Sequence, residues 1–279
     1  MTGPSQGRKL RDLLARPGIV LPVLGTPDAG SAKIMEAAGV EAAFIGTGIT
    51  GGRYTGLSDT GLITATEALW IAKYIAGAVS FPIILDGDTG HGGPPAIRRL
   101  VHECIRIGLA GIRLDDQEIE AKRGTQSSGI SIVSREHAVE RYQAAVAAKH
   151  EIDPDFVVMA QCYARDAVNG GMDELLLRLR LYEEEAKVDW VQFESPHSVE
   201  EVKRARAVVK GPLSAMRGKL PKTLTIEEHA AIGLNAAWYT GWPSSVMYAA
   251  VRSVMKDYPT KGPAVFYDLG SPGPEPGTR

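Results

Sequence analysis

The sequence predicts an α/β fold, a (β/α)8 TIM barrel, formed as one domain over residues 1–262. Two observations carry the prediction. Eight short apolar runs alternate with eight amphipathic segments along the chain. The runs are continuously apolar, as strands covered on both faces must be. An open doubly wound sheet would show the same alternation, so the count of eight decides for closure. No Gly-x-Gly-x-x-Gly opens a first helix, which argues further against a dinucleotide-binding sheet.

The elements follow in order. The first strand is expected over 19–24 and the first helix over 31–38, then a strand at 42–45 and a helix at 65–79. The third strand is 82–85, followed by a helix from Pro95, because proline suits a first helical turn. The fourth is 111–114, with a helix over 134–149 that Ser134 caps and Glu136 supports against the helix dipole. Strands at 156–160, 190–193, 213–216 and 236–239 pair with helices at 173–186, 198–208, 226–232 and 244–257. Two connections are long, 46–64 and 116–133, and both follow strands, on the face where barrels of this kind build sites. The second contains Lys122-Arg123-Gly124-Thr125-Gln126-Ser127-Ser128-Gly129, small and polar enough for a closing lid. Residues 263–279 read as a tail rich in Gly and Pro.

Composition narrows the function classes. In 279 residues, 44% are hydrophobic and the net charge is −2, so no basic field exists to attract nucleic acid or an anionic membrane. Two cysteines, Cys104 and Cys162, form neither a disulfide framework nor a zinc cluster, and a cytoplasmic location is expected. Met1–Arg11 has no apolar core of a secretory signal, and no run is long enough to span a membrane.

The most informative stretch is Ile84-Leu85-Asp86-Gly87-Asp88-Thr89-Gly90-His91-Gly92-Gly93. A buried strand here ends in two carboxylates spaced i, i+2 and runs into a glycine-rich turn. Mg²⁺ wants oxygen ligands at such a rim, often one or two carboxylates with water and substrate filling the rest. A strand-ending Asp that caps the turn is the alternative. Other strand ends add Asp115 and Asp116, Gln161 and Cys162, and Glu194, while the seventh strand leads to Arg217 and Lys219.

These residues carry a resemblance to the isocitrate lyase / phosphoenolpyruvate mutase superfamily, over about residues 10–254. Its markers are Ser31-Ala32-Lys33, Gly46-Thr47-Gly48, Gly56-Leu57-Ser58-Asp59-Thr60-Gly61, Asp86 to Gly92, Gly111 to Gln117, Ala121-Lys122-Arg123 and Asp153 to Ala160. The resemblance implies a Mg²⁺-dependent barrel, with Mn²⁺ as the alternative ion, acting on a small 2-oxo or 2-hydroxy carboxylate through an enolate-like intermediate. Asp86, Asp88 and Asp115 would hold the metal and Asp59 would support it. Gly46, Thr47 and Gly48 would bind the substrate carboxylate through backbone N–H groups, and Lys122 would sit on the closing loop. It also implies a homotetramer, a dimer of dimers, whose last helix packs on a neighbouring subunit.

The departures matter as much. The lyases' loop Cys and His fall at Gly124 and Gln126, neither of which carries a proton at neutral pH. Their fifth-strand Arg falls at Gln161, and the Asn and Glu after the seventh strand fall at Ala215 and Gly218. An isocitrate or methylisocitrate lyase is therefore not expected. Arg113 or Arg217 could supply the missing cation, since Arg grips a carboxylate bidentately. The alternative for Arg113 is a structural pair with Asp86, Asp115 or Glu194. Glu194, at a position the resemblance places near the substrate, and His91, which could orient a ligand or water, are further candidates. Cys162 and Tyr163 are candidate proton carriers or packing residues. The expected function is a carbon–carbon lyase; C–P bond mutase or hydrolase chemistry and noncatalytic ligand binding are the alternatives.

Overall fold

A computed structural model describes residues 3–125, 127–216, 218–221 and 224–269. The eight strands among the described residues are β1 (Leu21–Gly25), β2 (Ala43–Ile45), β3 (Ile83–Asp86), β4 (Gly111–Asp115), β5 (Val157–Cys162), β6 (Trp190–Phe193), β7 (Leu213–Ala215) and β8 (Ala236–Tyr239). They are parallel and close in sequence order, β8 pairing with β1. The expected barrel is the observed one.

The helices begin with α1 (Gln6–Leu14), α2 (Ala29–Ala37), α3 (Gly52–Thr55) and α4 (Ala65–Ala76). They continue as α5 (Pro94–Arg106), α6 (Arg135–His150), α7 (Met172–Glu184), α8 (Val199–Val208), α9 (Ile226–Ala231), α10 (Trp242–Met255) and α11 (Tyr258–Lys261). Local chemistry sets their starts. Ser134 caps α6, and Thr64 with Glu67 closes a capping box on α4. Gly93 precedes Pro94 and Pro95 at the start of α5.

Two apolar layers result. Residues facing the helices, among them Ile83, Ile112, Val158 and Val191, form the larger core between sheet and helices. Residues facing inward, among them Val23, Phe44, Met159, Trp190 and Trp238, fill the barrel.

Three features depart from expectation. Helix α1 precedes the first strand, and Leu10 and Leu14 bury themselves against the inward core. Its short, mostly polar sequence hides a helix whose Arg11 is held by Asp155 O at 2.7 Å and Asp189 Oδ1 at 2.5 Å. The first long connection is not loop throughout, because Thr47–Gly51 forms a π-helical turn that runs into α3. Beyond α11, a 3-10 helix runs over Gly262–Leu269 where a tail was expected, with Val265 buried; residues 270–279 lie outside the described set.

Candidate active site at the carboxyl end of the barrel

The ends of β3 and β4 deliver Asp86, Asp88 and Asp115 to one place, and all three are buried. Asp88 holds a left-handed φ of 52°, unusual for a non-glycine residue. Strain of this kind persists only where surroundings enforce it, and it gathers at functional sites. Here Asp88 N donates to Asp86 Oδ1 at 3.1 Å, and Asp115 N donates to Asp88 O at 2.7 Å.

Lys122 stands at the centre of the cluster. Its ammonium is hydrogen-bonded to Asp59 and lies 3.3 Å from Asp88 Oδ2. Burial alone would lower its pKa, but Asp115, Asp88, Asp59 and Asp86 together raise it. The loop that carries Lys122 is clamped shut by Gln117, whose side chain accepts from Arg123 N at 3.0 Å and donates to Arg123 O at 3.1 Å. Thr125 Oγ1 and Tyr163 Oη meet at 3.2 Å and close the far side. Gly48 makes room for this arrangement, since a Cβ there would lie 2.5 Å from Asp59 Oδ2.

The carboxyls differ in their pull on protons. Burial would raise Asp86, but Arg113, Lys122 and two backbone N–H groups outweigh it and hold it below the ordinary range. Burial raises Asp88 despite Lys122. Burial and neighbouring Asp86 push Asp115 well up, and its Oδ1 has no partner among the described residues. Burial lowers His91, which lies beside Asp88 and Asp86.

Arg113 takes the structural alternative. Its Nη2 donates to Asp86 Oδ2 at 2.8 Å, and its guanidinium lies 4.4 Å over the Phe44 ring. Thr47 likewise turns its N–H (3.3 Å) and hydroxyl (3.1 Å) to Asp86 Oδ2, so the N–H expected for substrate serves the carboxylate cluster. Gly46 leads into this turn as its N-cap. Gln161 Nε2 donates to Glu194 Oε2 at 2.5 Å, and Ser195 Oγ donates to Oε1 at 3.1 Å. Burial pushes Glu194 up to about 7, against the pull of Arg113 and both hydrogen bonds. Tyr163, buried near Asp115 and Glu194, is held as the neutral phenol. Cys162 packs in the core outside the barrel, with a thiol raised by burial and Asp116. Gln126 and Arg217 lie outside the described residues.

Arg141, on α6, was not legible as a site residue. It is buried and donates to Asp115 O and Gln117 O, each at 3.1 Å, and also to Thr89 O. It thereby ties the turn after β3 to the end of β4. A lone Arg in a helical segment carries no sequence signal of that role.

The profile of the phosphoenolpyruvate phosphomutase family matches residues 10–258. The chain belongs to this family. It is 34% identical over 249 residues to the 2,3-dimethylmalate lyase of Eubacterium barkeri, covering 88% of this chain and 83% of that one. Among solved structures, an oxaloacetate acetylhydrolase complexed with the inhibitor 3,3-difluorooxalacetate superposes with a TM-score of 0.86 at 30% identity, over 96% of this chain and 89% of the other. A phosphonopyruvate hydrolase complexed with oxalate and Mg²⁺ gives 0.82 at 26% identity, over 96% and 92%. Carbon–carbon lyases of this superfamily are thus the chain's homologues, and the barrel is their shared fold.

The site's fit to a divalent ion can be judged from its own atoms. Among the described residues, no three Asp, Glu, His or Cys side chains converge as a ready-made ligand cage. An all-protein cage is not what Mg²⁺ requires, because it keeps several waters and uses one or two carboxylates. The donors present are carboxylate oxygens, one of them, at Asp115, unpartnered among the described residues, and the Lys122 ammonium stands in as a cation among them. The residues fit the ion.

Proposed function

We propose that this protein is a Mg²⁺-dependent lyase that cleaves or forms a C–C bond in a small 2-oxo or 2-hydroxy carboxylate through an enolate-like intermediate. The observation that carries the reading is the buried Asp86–Asp88–Asp115 cluster held around the Lys122 ammonium at the carboxyl end of the barrel. The relatives' names, dimethylmalate lyase and oxaloacetate acetylhydrolase, support the substrate class.

Asp86, Asp88 and Asp115 would hold Mg²⁺, or Mn²⁺ in its place. When bound, the ion supplies Lewis-acid stabilisation of negative charge on a substrate oxygen. The chain's own groups do the remainder. Asp59 holds Lys122 beside the carboxylates, and Thr125 on Tyr163 completes the cover against water. With Gly124 unable to move a proton, Glu194 is the group poised to exchange one near neutral pH, where a general acid-base is most effective. The Tyr163 phenol is a second donor beside it. Arg113 keeps Asp86 ionised and leaves the gripping of substrate to others.

Several quaternary and cellular features belong to the same proposal. Helix α10 leaves Trp242, Val246, Val251 and Met255 exposed, with only Ser244 buried along its described length. A cleft of about 470 Å³ runs between it and the end of β8. An apolar surface of this kind marks a protein contact, which supports a homotetramer with α10 exchanged between subunits. Light scattering on the eluted protein is expected to give four protomer masses. Both cysteines are free and buried, which supports a reducing cytoplasm. No described helix is long and apolar enough to cross a membrane.

The test is a panel of 2-oxo and 2-hydroxy acids, with neutral and carboxylate ends, incubated with enzyme and Mg²⁺ and followed by NMR. Turnover that disappears with EDTA and in Asp88→Asn supports the reading. Phosphate release from phosphonopyruvate instead would point to C–P chemistry. Mg²⁺-dependent oxalate binding with no turnover across the panel would point to a noncatalytic relative.

A further inference from the structure

The loop that carries Lys122 stands on two feet, Asp116 just after β4 and Val133 just before α6. Val133 N donates to Asp116 O at 3.0 Å and Glu118 N to Ser131 O at 3.1 Å, so the feet pair as a short antiparallel ladder. Gln117 and Ile132 face each other across it. Both feet are also pinned from the β5–α7 side. The Asp116 carboxylate accepts from Tyr163 N at 2.9 Å and Tyr182 Oη at 2.7 Å, and Arg178 Nη2 donates to Val133 O at 2.6 Å.

The ladder's hydrogen bonds fall on residues flanking the Gln117–Ile132 pair, which leaves the N–H and C=O of Ile132 turned the other way. Ile132 is buried, and a buried peptide group needs partners. The amide of Asn169, in the connection between β5 and α7, supplies both. Its Oδ1 accepts from Ile132 N at 3.1 Å, and its Nδ2 donates to Ile132 O at 2.7 Å. Val168 N adds a bond to Ile130 O at 2.8 Å. Residues 168–169 thus stand in for a third strand beside the foot. A carboxamide offers donor and acceptor on one plane, whereas Asp lacks the donor and Leu lacks both. The connection is shaped to present it. Gly171 N closes on Ala164 O at 2.6 Å, and a Cβ at Gly170 would lie 2.1 Å from the same oxygen.

The same connection meets the loop again at Thr125, three residues past Lys122, through the Tyr163 hydroxyl. The Lys122 ammonium is placed beside Asp59 and Asp88 by a loop whose foot is held in one register. Resting on the metal-dependent reading above, we infer that Asn169 is a positioning residue for Lys122. It acts through Ile132, fixing the register of the loop and so holding the ammonium in the carboxylate cluster. Asn169 itself is exposed and contributes no group to that cluster.

Acetylation of lysines by acetic anhydride at pH 8 in Mg²⁺-free buffer, read by mass spectrometry, reports how often Lys122 leaves the cluster. Lys149, also buried and paired with Asp189 at 2.6 Å, is the internal control for global loosening. In Asn169→Leu, Lys122 is expected to react roughly tenfold faster, the weight of the two lost hydrogen bonds, with Lys149 unchanged. Asn169→Asp should resemble the leucine variant, and Asn169→Gln, which keeps the amide, should recover part of the native protection. Unchanged Lys122 labelling in Asn169→Leu would overturn the inference, because the link to the loop would be absent. Equal acceleration of Lys122 and Lys149 would overturn it too, because only overall stability would have changed. Calorimetry with oxalate and Mg²⁺ tests the underlying reading separately, and binding by the native protein is expected. No Mg²⁺-dependent binding would overturn the metal-dependent reading and leave the hold of Asn169 on Lys122 standing.

Discussion

Replacing Lys122 with methionine should tighten Mg²⁺ binding in the absence of substrate while abolishing turnover. The ammonium lies 3.3 Å from Asp88 Oδ2 and is hydrogen-bonded to Asp59, within the cluster that would receive the ion. At an effective dielectric of about 20, an ammonium and a divalent cation roughly 4 Å apart repel by about 8 kcal/mol. That exceeds what holds the side chain in place, so metal entry must expel it. The free energy forfeited is that of its charge-assisted hydrogen bonds, about 1–3 kcal/mol, or roughly 5- to 150-fold in affinity. The Asp59 side chain is 29% exposed, which places the expectation toward the lower end, near tenfold. Titration calorimetry at pH 8 on native protein, Lys122→Met and Lys122→Arg would read it, with the arginine variant close to native. Equal or weaker Mg²⁺ binding by Lys122→Met would refute the view that the ammonium stands where the metal binds.

Other predictions follow from the same geometry. Glu194, raised from 4.5 to about 7 by burial, binds its proton more tightly in the folded state. Its contribution to stability is therefore full below pH 4.5 and is lost as pH rises through 7, an effect of about 3 kcal/mol. Urea unfolding of Glu194→Gln should match the native protein at pH 4.5 and exceed it at pH 8; an equal difference at both would count against the assignment. Gly48→Ala drives a Cβ into Asp59 Oδ2 and should destabilise by about 1–3 kcal/mol. It should also free the Lys122 loop, read as faster proteolysis between Glu118 and Ser131. Arg141→Met strips donors from three buried carbonyls and should lower unfolding free energy by at least ~3 kcal/mol. Arg141→Lys should recover part of the stability and of the Mg²⁺ affinity, and a full loss in both variants would show that the forked geometry is required.

The sequence by itself determined the barrel and the rim at which its carboxylates gather. Strand and helix periodicities are local, and so is the rule that strand ends supply a barrel's functional groups, so Asp86, Asp88 and Asp115 could be placed at one rim before any coordinates, while Lys122 joined them only through the family resemblance. Helix α1 escaped because its partners lie far along the chain: Asp155 and Asp189 hold its Arg11, and Leu10 and Leu14 join the inward core. What each polar group does was decided by tertiary structure. Arg113 could have served substrate or Asp86, and only the pairing of β3 with β4 commits it to Asp86. Gln161 signalled a missing cation, but its link to Glu194 and its line through Gln192 to Ser214 exist only in the register of four strands. The physical reason is that ionisation and hydrogen-bond satisfaction are set by burial and by neighbours distant in sequence, and neither is encoded in the spacing of a motif.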